Sequence, residues 1–145
     1  MIVSHRGDAM NPHYNQNHTK EQIDTSLDII KRCVVNNRYT IALNPNRIEN
    51  IEFISEYNIR SDKQKEILLQ IITEDFCHTL QNTKAGYEYE VLYVFFPQVQ
   101  LFNADGKEEI VDVYTKFNII NMQNGSRTIV ISFHKRNKPI DYLFR

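Results

Sequence analysis

EIVDVYTKFNII (residues 109–120), NMQNGS (121–126) and RTIVISFHKR (127–136) form two alternating segments around an Asn-Gly pair. Asn-Gly between alternating segments is a strong hairpin signal. Val113, Thr115, Phe117 and Ile119 share one face of the first segment; Asp112, Tyr114, Lys116 and Asn118 share the other. In the second, Ile129, Ile131 and Phe133 share one face, and Thr128, Val130, Ser132 and His134 the other. A two-residue turn at Asn124-Gly125 would pair Phe117 with Ser132 and mix the faces, which a half-buried sheet forbids. A three-residue loop (Asn124, Gly125, Ser126) is preferred. It pairs Phe117 with Phe133, Ile119 with Ile131 and Lys116 with His134. A five-residue loop, setting Tyr114 beside His134, is the alternative. Both predict an apolar face and a face carrying Tyr114, Lys116, Ser132 and His134, a grouping suited to chemistry on a phosphate.

Working outward, a chain of 145 residues with 41% hydrophobic residues predicts one domain with a real core. Residues 1–17 are polar and aperiodic and predict a flexible tail; residues 18–145 are the domain. Thr19 with Gln22 is a capping-box pattern, and Ile23, Leu27, Ile30 and Val34 recur at helical spacing, so residues 20–36 predict a helix. Arg38–Leu43 predicts a short strand. Asn44-Pro45 predicts a helix start with a stripe of Ile48, Ile51, Ile54 and Tyr57. Ser61 with Gln64 predicts another cap, for a helix carrying Ile67, Leu68 and Ile71. A helical turn is expected from Thr73 towards Asn82, with His78 at the surface. Tyr89–Phe96 is apolar on both faces and predicts a central strand, broken at Pro97. Val99–Phe102 predicts another strand, and Pro139–Phe144 a last edge strand. The expected fold is α+β: N-terminal helices packed on one face of a curled antiparallel sheet.

No run is long and apolar enough to span a membrane, and no leader pattern opens the chain. Cys33 and Cys77 read as free thiols in a reducing compartment, so a cytoplasmic location is expected. No cofactor loop, nucleophile elbow or metal-ligand spacing occurs, so neither a cofactor nor a metal is expected. The net charge of −1 argues against strong non-specific nucleic-acid binding, and neither helix between 45 and 72 is basic enough to read DNA. Yet residues 113–145 hold six Lys or Arg and a single acid. Arg127, Lys135, Arg136, Lys138 and Arg145 form the candidate anion-binding patch around Lys116.

VYTKF (113–117), IVISFH (129–134) and PIDYLF (139–144) resemble the MqsR-like branch of the RelE/ParE toxin superfamily. That branch shows a strand ending Y-I-K, a strand reading I-S-F-H and a terminal P-L-x-Y-P-Y. LQIITEDF (69–76) is similar to its L-x-x-E-D-Y, and EVLYVF (90–95) takes the place of its first long strand. The segment 98–109 and the spacer after His134 depart from the pattern. The resemblance implies a RelE-like endoribonuclease that cuts single-stranded mRNA without a metal and is silenced by an antitoxin protein. It implies Tyr114, Lys116, His134 and Tyr142 as the catalytic set. For metal-free cleavage, His134 can act as acid or base, Lys116 and Arg136 can neutralise the phosphorane, and the tyrosines can orient, donate or stack. A non-enzymatic binding or inhibitor protein using the same face is the alternative.

Overall fold

The computed structural model describes residues 14–145. Helix α1 (Lys20–Val35), helix α2 (Ile48–Glu56) and helix α3 (Ser61–Leu69) pack on a seven-stranded sheet. The strands are β1 (Tyr14–Asn15), β2 (Tyr39–Ile41), β3 (Phe76–Gln81), β4 (Val91–Phe95), β5 (Gln98–Phe102), β6 (Glu108–Met122) and β7 (Gly125–Lys135). Their order is β1-β3-β4-β6-β7-β2, with β5 paired to the first part of β6. The fold is α+β, as expected, but the sheet is mixed: β2 lies parallel to β7. Strands β1 and β2 also interleave with the helices, so the helices do not all precede the sheet.

The capping box of α1 forms, Thr19 Oγ1 accepting from Gln22 N at 3.1 Å and Gln22 Oε1 accepting from Thr19 N at 2.9 Å. Its stripe of Ile23, Leu27, Ile30 and Val34 is buried. Helix α2 keeps part of the expected stripe, since Ile54 packs against the core and Tyr57, just past its end, is buried. Asn50 and Phe53 are its buried residues, while Ile48 and Ile51 are exposed. Helix α3 is capped at Arg60 without a side-chain bond, so the expected Ser61–Gln64 box does not form.

Two other expectations fail. The segment after Asp75 is a strand, because Phe76–Gln81 pairs along β4 and Phe76 meets Phe95 edge to face. Residues 139–145 form no strand, and Tyr142 and Arg145 tie this segment down by side-chain bonds instead. Of the expected tail, residues 1–13 lie outside the described residues; Tyr14–Asn15 is an edge strand on β3.

The hairpin differs most. The turn is two residues, Gln123-Asn124, with Met122 opposite Gly125, whose φ of 115° suits glycine. From there to the Phe117–Val130 pair, the register is of the kind expected to mix the faces. A β-bulge then restores parity: Ile131 is left unpaired, Lys116 lies opposite Ser132, Thr115 opposite Phe133 and Tyr114 opposite His134. Thr128, Val130 and Phe133 therefore all reach the helix-covered face, each 0% exposed. The preferred pairings of Phe117 with Phe133, Ile119 with Ile131 and Lys116 with His134 do not occur. Tyr114 does lie beside His134, through the bulge and not through a five-residue loop.

Asn50 explains why α2 turns as it does. Where β2 ends, its Nδ2 donates to the carbonyls of Ala42 (2.9 Å) and Ile131 (3.0 Å), and its Oδ1 accepts from Phe133 N (2.8 Å). One side chain thus satisfies the edge of β7 on both sides of the bulge.

Candidate functional site

The sheet has a second, smaller apolar cluster on the face away from the helices. Cys77, Val94, Phe96 and Tyr114 form it, with Leu80, Ile140 and Tyr142 packed against them. Beside it opens a cleft of about 350 Å³. Leu80, Leu92 and Ile131 supply its apolar lining, and Arg47, Lys116 and Lys138 its charge; no carboxylate is among the described residues that line it. The bulge thus sets the register of the strand and also hands its extra residue to the cleft.

Lys138 Nζ stands 4.4 Å from the centre of the Tyr114 ring and Lys116 Nζ 6.0 Å, both within cation–π range. Among the described residues, no carboxylate pairs with Arg47, Lys116 or Lys138. Burial, and then the nearby Arg47 and Lys138, lower the Lys116 pKa to about 8. Burial pushes the Tyr114 phenol well above its ordinary range, so it stays protonated and acts as a donor. These are the properties of an anion site: desolvated positive charge without a counter-ion among the described residues.

His134 is buried against Tyr114, ring centres 5.1 Å apart. Its Nδ1 donates to the carbonyl of Lys135 at 2.8 Å. Its open side belongs to a different cleft, of about 230 Å³, shared with Glu49, Glu52 and Glu56 of α2. The sheet therefore brings Tyr114 and Lys116 into one cleft and turns His134 towards another.

The remaining expected residues have other partners. Tyr142 donates its hydroxyl to the Phe96 carbonyl at 2.7 Å, and burial raises its pKa to about 12. Arg145 lies over the Tyr142 ring and pairs with the buried Asp75 at 2.8 Å. Lys135 pairs with Glu56 at 2.8 Å, and that bond raises its pKa. Arg136 pairs with Asp112 at 3.4 Å, and Arg127 bonds Thr40 Oγ1 at 2.6 Å. Of the five basic candidates, Lys138 alone lines the cationic cleft.

Two lining residues escaped sequence reading. Arg47 ends a single 3-10 turn, Pro45–Arg47, and nothing local marks it. Tyr14 sits in a stretch with no periodicity. No protein-family model, curated protein or solved structure matches the chain.

Proposed function

We propose that the protein is a RelE-like, toxin-type endoribonuclease of the cytoplasm. It cuts single-stranded mRNA without a metal ion and is held in check by an antitoxin protein. The observation that carries this reading is the convergence of Arg47, Lys116 and Lys138 on Tyr114, in a cleft with no carboxylate among its described lining residues. A phosphodiester is the natural counter-ion for such a cleft.

In the proposed reaction the ribose 2′ oxygen forms a bond to phosphorus and gives its proton to Lys116, whose lowered pKa leaves a neutral fraction near pH 8. Arg47 and Lys138 neutralise the phosphorane, and the protonated Tyr114 phenol donates a hydrogen bond to it. The bond to the 5′ oxygen breaks, and that oxygen takes a proton from water. His134 packs against the Tyr114 ring and fixes it.

The test is single-stranded RNA incubated with the protein in EDTA, beside Lys116→Ala and a Lys116→Ala, His134→Ala double variant. The expected result is cleavage by the parent and a loss of about 100-fold or more in both variants. Equal cleavage by all three, or by none, sinks the proposal. One observation favours the non-enzymatic alternative: Lys116 and His134 open into separate clefts, as in a surface that grips a partner protein. A stable stoichiometric partner, with no growth arrest on expression, would decide for it.

A further inference from the structure

The cationic cleft also has an aromatic wall. Tyr14 lines it, and the Tyr14 ring lies flat on the imidazole of His78, with centroids 3.8 Å apart and planes 12° from parallel. His78 is only 5% exposed, and among the described residues neither of its ring nitrogens has a hydrogen-bond partner. Buried polar atoms without partners are destabilising and call for a reason. Among the described residues, no group of three potential metal ligands surrounds it. Burial, then Lys138 and Lys116, lower the His78 pKa to about 4, so the ring is neutral at ordinary pH. A flat, neutral, covered ring is well suited to back another ring. The described part of its strand pairs with β3 through two residues, Tyr14 and Asn15.

We infer that Tyr14, backed by His78, is a base-stacking subsite, and that the cleft takes a nucleotide. The base lies on the outer face of Tyr14, and the phosphate sits among Arg47, Lys116 and Lys138. Single-stranded nucleic acid is commonly held this way, with bases on aromatic rings and backbone on cations. A volume of about 350 Å³ falls in the range of small-ligand clefts, and Leu80 and Leu92 give it the apolar lining a base prefers over water. His78 acts through Tyr14 and is a positioning residue. This inference rests on the RNA-directed reading of the same cleft and adds which part of the ligand goes where.

The experiment is calorimetric titration of the full chain with adenosine 5′-monophosphate and, separately, with inorganic phosphate. The variants are Tyr14→Ala, Tyr14→Phe and His78→Phe. Expected is tighter binding of the nucleotide than of phosphate. Tyr14→Ala should then lose about tenfold in nucleotide affinity and keep its phosphate affinity, which also shows that the variant is folded. Tyr14→Phe and His78→Phe should bind as the parent does, because both keep the stack. No nucleotide binding by the parent, or an unchanged ratio of the two affinities in Tyr14→Ala, overturns the inference. RNA cleavage accompanied by that unchanged ratio removes the subsite and leaves the nuclease standing. The expected binding pattern in a protein that cuts no RNA leaves the subsite and removes the nuclease.

Discussion

On the helix-covered face of the sheet, Phe95 and Phe117 are fully buried and meet edge to face, and Phe133 meets Phe53 of α2 in the same way. On the opposite face the corresponding layer is a tyrosine flanked by two lysines, with two histidines buried nearby. The first face gains stability from apolar area and aromatic geometry. The second holds charge out of water without compensation among the described residues, which lowers stability. A fold tolerates that where a ligand supplies the missing partner, so the contrast between the faces itself points to the open one as the working surface.

The largest expected effect comes from Asn50→Ala, which attacks the device that keeps the faces apart. It leaves two carbonyls and one N–H unpaired beside the bulge, a loss of about 4 kcal/mol. Chemical denaturation measures it. A loss below about 1 kcal/mol would show that the bulge holds its register without Asn50.

That bulge also marks where sequence reading stops. The segments, the hairpin and the pairing of two alternating strands were legible, because alternation and turn chemistry are local. The switch of parity at Ile131 was not. It depends on an asparagine 81 positions earlier in the chain, whose buried place reads locally as the polar side of a helix. A two-residue turn mixes the faces, and the bulge confines that mixing to part of the strand. The candidate site was half legible for the same cause. Tyr114 and Lys116 share a face by period two, whereas Arg47 and Tyr14 come to them only through tertiary packing. A helical turn over its segment would leave His78 at the surface. As part of β3 it sits opposite Val94 and is covered.

A second, smaller effect sets the buried histidine of the open face against the titration-free aromatic core. With a folded pKa of about 4 against an ordinary value near 6.5, unfolding takes up a proton between those limits. Stability from this source is complete above about pH 6.5 and is lost as pH falls through 4, by about 3 kcal/mol in all. His78→Phe should flatten that part of the pH–stability curve. An acid limb of equal steepness in the variant would assign it to the carboxylates and leave His78 no part in it.

The smallest effect is the one that separates stability from function most cleanly. Lys116 is charged at neutral pH in a place that disfavours charge, since burial and then Arg47 and Lys138 lower its pKa to about 8. The unfolded chain holds that proton up to about pH 10.4, so between the two values the folded state has shed it and the unfolded state has not. Stability therefore rises with pH across this window, and the penalty is at its fullest below pH 8. Lys116→Met keeps the bulk of the stem and removes the charge. It should be more stable than the parent at pH 7 by about 2 kcal/mol, allowing for solvent at the mouth of the cleft, and the advantage should fade as pH climbs towards 10. The same variant should bind phosphate or RNA more weakly. A more stable protein that binds less is what a charge kept for a ligand predicts; a Lys116→Met protein that is less stable at pH 7 would mean the lysine is held by the fold itself.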